Sequence, residues 1–237
     1  MFDADEFLRL VKARRTTRVR FDESRPVEPE ALRLILEAAA WAPTAHNMQN
    51  FEIIAVDDPE ILRRLSELEY SPSPAFVMEN YSQLSFTDEE WKKKGTGFPA
   101  GWFPAPWLSP EARAGSLIQP PTKLGGAVRR GPLLLLILYD PARRAPDSEG
   151  DFLGVMSLGF MLENMWLAAA AQGLGFQIIS AMGNDPMAGQ IKDMLGAPPE
   201  LRLVFGCRLG YPGQTEGGAR RVCRDVEDMV SFNRYGN

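Results

Sequence analysis

Leu133-Leu134-Leu135-Leu136-Ile137-Leu138-Tyr139 is an uncharged apolar run that follows Pro132 and ends at Asp140. A membrane helix needs about 20 such residues, so the run reads instead as a β-strand buried on both faces. Downstream, residues 151–172 read as a long helix, apolar almost all round, with Gly173 as its natural C-terminal cap. Such a helix needs cover on every side, and a second subunit is one source of it. Residues 176–182 read as a strand. Asp185-Pro186 then caps a short helix bearing Met187, Ile191, Met194 and Leu195. Residues 201–209 form another strand, and Gly210-Tyr211-Pro212-Gly213 turns out of it. Upstream, residues 5–14 read as a helix with Phe7, Leu8 and Val11 on one face. Glu28-Pro29-Glu30 opens a second helix, with Leu32, Ile35, Leu36 and Ala39 at helical spacing, and Trp41-Ala42-Pro43 stops it. Phe51–Val56 is a short strand. Asp58-Pro59 starts a helix with Ile61, Leu62, Leu65 and Leu68 inward. Strands and helices intermix around one sheet, which predicts an α/β or α+β sandwich.

The 237 residues are 45% hydrophobic and 24% charged, the balance of a chain that folds without staples. They read as one domain, 1–237, interrupted by a proline- and aromatic-rich insertion at 71–126 that has no periodic core. A short helix is expected in it near 87–93. The net charge of -5 argues against a nucleic-acid partner. Cys207 and Cys223 are too few for a disulfide framework or a four-ligand zinc site, and His46 is the only histidine, so no metal is expected. Met1 to Leu10 lacks the apolar centre of a secretory signal. Glu163 and Asn164 in the middle of 151–172 argue for a helix buried in protein rather than a membrane span. The default location is the cytoplasm.

Several familiar chemistries are missing. No phosphate-binding loop of the Walker type and no nucleophile elbow is present. Gly95-Thr96-Gly97-Phe98-Pro99-Ala100 fits a dinucleotide pattern only formally, since no strand precedes it and Pro99 sits where a helix would begin. Three segments remain as candidates. Arg14-Arg15-Thr16-Thr17-Arg18-Val19-Arg20 crowds four guanidinium groups and two hydroxyls into one stretch, a donor set suited to a phosphate monoester. On local chemistry alone the other reading, a helix end decorated with arginines that favour its dipole, comes first. Pro43 to Gln49 is an amide-rich loop. Asn47 and Gln49 either face a planar polar ligand or satisfy their own loop. Arg220, Arg221 and Arg224 in the tail offer a second anionic contact or a solvated charge run.

Together these pieces resemble the nitroreductase family of flavin mononucleotide (FMN) enzymes. The resemblance rests on Arg14-Arg15-Thr16-Thr17-Arg18, then Pro43-Thr44-Ala45-His46-Asn47-Met48-Gln49-Asn50-Phe51. It continues with Ala127 to Pro132, with Asn164 to Gly175, and with Leu209-Gly210-Tyr211-Pro212 before Arg220-Arg221. It implies an α+β fold, a three-layer α/β/α sandwich around a mainly antiparallel sheet, in an intertwined homodimer with FMN at the subunit interface. It implies that Arg14, Arg15, Thr16 and Arg18 hold the phosphate and ribityl end, joined by Arg220 and Arg221. Asn47 and Gln49 would lie at the ring, with the backbone of Ser180, Ala181, Met182 and Gly183 approaching it. No side chain is then catalytic: NAD(P)H gives hydride to flavin N5, and a small organic acceptor is reduced in a second half-reaction. Trp91, Phe98, Trp102, Phe103 and Trp107 of the insertion would form a substrate lid. Related reactions on this fold are reductive dehalogenation, flavin fragmentation and azoline oxidation, and a non-enzymatic flavin-binding role is a further alternative. The sequence departs from the family at Asn50, where proline is usual, at Phe51, at His46, and after Arg221.

Overall fold

Four strands form one antiparallel sheet: β1 (Phe51–Val56), β2 (Leu133–Tyr139), β3 (Gly175–Ile179) and β4 (Arg202–Gly210), in the order β1-β2-β4-β3. The register pairs Phe51 with Tyr139, Leu133 with Leu209, and Gly175 with Gly210, with an irregularity at Ile137/Leu138. Every residue of β2 is buried. Alternation along the strand explains why. Leu133, Leu135, Ile137 and Tyr139 face one core, and Leu134, Leu136 and Leu138 face the other.

The first core is closed by α2 (Pro29–Ala40) through Ala31, Ile35 and Ala39, and by a long helix, Phe152–Ala171, through Met161, Met165 and Trp166. The second is closed by α3 (Pro59–Ser66) and by the helix Met187–Leu195, through Leu62, Leu65, Met187 and Ile191. The result is helix, sheet, helix: three layers, as expected. The first helix, α1 (Ala4–Ala13), is capped by the Asp3 side chain and buries none of its residues. Of the three residues expected on one face, Phe7 and Leu8 are exposed and Val11 is half-buried.

The computed structural model describes residues 3–95, 98–99, 104–128, 131–213 and 223–236. The chain divides into two compact units. Met1–Tyr70 with Lys123–Glu216 carries the sheet and its helices. Ser71–Thr122 with Gly217–Asn237 makes the other. It contains α4 (Pro74–Leu84) and α5 (Asp88–Lys94). α5 starts on a capping box in which Thr87 and Glu90 satisfy each other's backbone N–H groups, and it ends on left-handed Gly95. In chain order the two remaining long helices are therefore α6 (Phe152–Ala171) and α7 (Met187–Leu195).

Two boundaries differ from the sequence reading. β3 stops at Ile179 rather than 182, because the next residues make a 3₁₀ turn, Ser180–Gly183, that returns Met182 to the second core. Asp185 does not cap α7. The N-cap position falls on Pro186, which has no side-chain oxygen, and the Asp185–Pro186 peptide is cis.

Among the described residues α6 is the one helix long and apolar enough to cross a membrane. Its polar groups are spent inside the protein. Asn164 Nδ2 donates to Ala38 O (3.0 Å), Trp166 Nε1 donates to Arg15 O (3.0 Å), and Glu163 pairs with Arg14. That is the pattern of a helix packed in a folded body. Phe152, Val155, Met156 and Phe160 on α6 nonetheless stay exposed, as does Trp41 just after α2.

Candidate functional site

Residues 14–21 form an extended arm leaving α1, and its backbone is fastened on several sides. Thr17 N donates to Phe176 O (2.9 Å), Asp22 N to Tyr211 O (2.8 Å), and Gly213 N to Arg20 O (3.0 Å). Phe21 is 1% exposed and bridges Pro212. Close packing requires glycine opposite: a Cβ at Gly175 would lie 2.6 Å from Phe21 Cε1 and 2.7 Å from Thr17 Cγ2.

The side chains on this arm separate into two groups. Arg14 is turned toward the protein. Its Nε lies 3.2 Å from Glu163 Oε1, an ion pair without hydrogen-bond alignment, and its guanidinium carbon is 4.5 Å from the Trp166 ring centre. Arg15 and Arg18 are exposed, with Thr16 half-buried between them. Arg20 is exposed and paired with Glu23 at 2.9 Å. The arm therefore presents cations and a hydroxyl from a backbone that is fixed in advance. Arg220 and Arg221 lie outside the described residues.

The amide loop holds an unusual backbone. His46, Asn47 and Gln49 all have positive φ, at 52°, 54° and 46°. For non-glycine residues this costs free energy that surrounding contacts must offset. Those contacts are visible. Gln49 N donates to Thr44 Oγ1 (3.1 Å), Gln49 Nε2 to Asn47 Oδ1 (3.3 Å), Ala45 N to Ser157 Oγ (3.2 Å), and Arg143 Nη1 to Gln49 O (3.1 Å). The loop thus satisfies much of its own polarity while Asn47 and Gln49 remain exposed. It is anchored on α6 at Ser157, whereas the arm is anchored at Trp166. Nine residues of helix put those anchors about 14 Å apart. The turn Ser180–Gly183 lies at the far end of β3 from the arm, about 13 Å from Phe176 at the rise of a strand. In it Ser180 is exposed and Met182 is buried, so Met182 can offer a ligand only its backbone.

Beside the amide loop, Asn50 is 3% exposed and its carbonyl accepts from Asp140 N (2.9 Å). Its side chain meets Tyr139, whose hydroxyl donates to Asp151. Burial, and then the Asp151 carboxylate, push the Tyr139 phenol up to about 12. The neutral phenol is favoured in the fold. Its stabilisation is complete below the ordinary tyrosine pKa of about 10 and is lost as pH rises from there to about 12. In denaturant titrations from pH 9 to 12, the wild-type protein is therefore expected to lose stability relative to Tyr139→Phe across that window. Parallel curves would refute the coupling.

Cavities of about 720 and 450 Å³ open among the described residues of this body. The first is lined by Arg20, Val27, Leu32, Leu62 and Leu133, the second by Glu52, Leu138, Arg143 and Leu201. Neither is lined by Arg14, Arg15, Arg18 or Asn47. Cys207 is buried and its thiol is pushed up by that burial, which makes it a core residue and not a nucleophile. Among the described residues no cluster of histidine, cysteine or carboxylate side chains can hold a metal. Of the proposed lid residues, Trp91 is buried and Trp107 packs edge-on against Phe76, ring centres 6.1 Å apart. Trp102, Phe103 and the Phe98 side chain lie outside the described residues.

The sequence reading missed Arg208. It stands alone as a charge in the apolar part of β4, it is 2% exposed, and it binds the arm. A charge inside an otherwise apolar strand was the available signal.

Comparison with known proteins gives consistent results. A family model described as "Nitroreductase family" matches residues 11–211. A curated NADPH-dependent oxidoreductase of Staphylococcus haemolyticus is 23% identical over 219 residues, covering 92% of this chain and 70% of that protein. An NADPH-flavin oxidoreductase of Vibrio harveyi is 36% identical over 109 residues, 43% of this chain and 44% of its own. A solved nitroreductase with bound FMN from Bacteroides fragilis superposes with a TM-score of 0.59 at 20% identity, covering 97% of this chain and 99% of that one. At that identity the likeness concerns the fold.

Proposed function

This chain belongs to the nitroreductase family, and from that premise we propose that it is an FMN-dependent oxidoreductase that takes hydride from NAD(P)H. The acceptor class is a small nitroaromatic, a quinone or an activated alkene, reduced in a separate half-reaction. The observation that carries this reading is the arm: Arg15, Thr16 and Arg18 project from a backbone bolted to β3 and to the turn after β4. That donor set fits a dianionic phosphate in number, charge and reach. When bound, the flavin supplies the redox chemistry.

The chain's own residues bind and orient. Arg15, Thr16 and Arg18 grip the phosphate end, with Arg220 and Arg221 assigned to the same end. Arg14 sets the arm against α6 through Glu163 and Trp166. Asn47 and Gln49, held by a strained loop, offer amide groups to the ring edge. The backbone of Ser180, Ala181, Met182 and Gly183 offers its N–H and C=O groups to the ring's other side. The spacing of these segments suits a long ligand with one anionic end and one planar end. Exposed Phe152, Val155, Met156 and Phe160 support a homodimer in which a second copy covers α6.

The purified protein is expected to be yellow, or to turn yellow and quench flavin fluorescence when FMN is added. Its visible flavin band should bleach on anaerobic titration with NADH or NADPH and return when menadione or a nitroarene is supplied. A protein that stays colourless in excess FMN would end the reading. Bound flavin that neither nicotinamide reduces would leave a binding protein in place of an oxidoreductase.

A further inference from the structure

Among the described residues Arg208 is the largest side chain that is fully buried, and its surroundings explain what a guanidinium is doing there. Its Nε donates to Gln177 Oε1 at 2.6 Å. A single nitrogen, Nη2, donates to both Thr17 O (3.2 Å) and Val19 O (3.0 Å). Its guanidinium carbon sits 4.5 Å from the centre of the Phe21 ring. Burying a cation is costly unless it is fully bonded, so a buried arginine kept at this place has to be matched by a specific geometry. That geometry is the arm. The two carbonyls it ties together are those on either side of Arg18. They belong to the residues whose orientation decides where the Arg18 side chain leaves the backbone.

We propose that Arg208 is a positioning residue for anion binding: from inside the sheet it fixes the backbone on both sides of Arg18, so that Arg18 is aimed at the phosphate before the ligand arrives. The inference rests on the FMN reading above and adds to it a residue that touches no ligand. Gln177 on β3 is part of the same device, since it orients the guanidinium from the neighbouring strand. Arginine is required because its planar fork serves the side-chain acceptor and the two carbonyls at once, which an ammonium on a flexible stem does not.

The test compares FMN with riboflavin, which has the same ring and ribityl chain and no phosphate. Apoprotein is titrated with each by flavin fluorescence, and circular dichroism checks the fold at the assay temperature. The wild-type protein is expected to prefer FMN. In Arg208→Met that preference should shrink about ten- to hundredfold, the loss of roughly one well-aimed charge-assisted bond, while riboflavin affinity stays the same. A folded Arg208→Met that keeps the full preference would overturn the proposal and leave the FMN reading standing. A wild-type protein with no preference for FMN would overturn the phosphate clamp itself, and the proposal with it. If Arg208→Met does not fold, Arg208→Lys decides. It keeps the charge without the fork, so its preference should be smaller than wild type, and an undiminished preference would refute the inference.

Discussion

Replacing Arg15 and Arg18 together by alanine is expected to release FMN while leaving the protein folded. Charge-assisted hydrogen bonds contribute about 1.5–3 kcal/mol each, so losing two weakens binding by about 3–6 kcal/mol, or roughly 10²–10⁴-fold. Two side chains that bind one phosphate act on the same ligand, so their effects need not add. The fold should survive because both side chains are exposed, and the arm is held by backbone bonds that alanine keeps. Arg14 is the wrong residue for this experiment despite its place in the same motif. Its guanidinium pairs with Glu163 and stacks on Trp166, so Arg14→Ala would undock α1 from α6 and mix a stability loss with a binding loss. The measurement is the FMN dissociation constant at fixed ionic strength, with thermal melting as the control. An unchanged constant in the double variant would remove the arm from the site.

Why sequence could identify the arm but not sort its arginines is a matter of range. The limits of β2 and β1 and the start of α3 were legible because apolar runs and caps are local: Asp58 accepts from Glu60 N and Ile61 N, as its place before Pro59 predicts. The end of β3 was not legible, because it depends on Met182 finding room under Gly206 on the adjacent strand. The same holds for Arg14, Arg15 and Arg18. They are alike in sequence, and only α6 decides which one turns inward. Arg208 is the extreme case. Its partners are the neighbouring strand and a segment some 190 positions away in the chain, and no periodicity reports that. The amide loop lies between these cases: its side chains mark a polar loop, but three positive φ values in non-glycine residues belong to the folded loop alone.

The same dependence on distant backbone makes Gly183→Ala the second large effect. A Cβ at Gly183 would lie 1.9 Å from Val204 O, 2.7 Å from Val204 C and 3.2 Å from Leu203 O. These are backbone atoms of β4. Val204 sits at the β2–β4 irregularity, but Leu203 and Phe205 on either side of it pair with Leu138 and Ile137, which limits how far it can retreat. The turn must move instead, and Met182, fully buried one residue earlier, moves with it. Forced overpacking of this kind costs about 1–3 kcal/mol, and backbone as the obstacle puts Gly183→Ala at the upper end. For a chain of this size that is a fall in melting temperature of roughly 5–10 °C. The binding signature should differ from that of the arm. Gly183 closes the turn assigned to the ring end of the flavin, so the alanine variant is expected to lose affinity for FMN and riboflavin in equal proportion. The arginine variants lose FMN selectively. Equal losses here with selective losses there would locate the two ends of the ligand at the two ends of β3. A Gly183→Ala protein that melts and binds like wild type would show that the turn does not press on Val204 in solution, and would take the ring out of that corner of the fold.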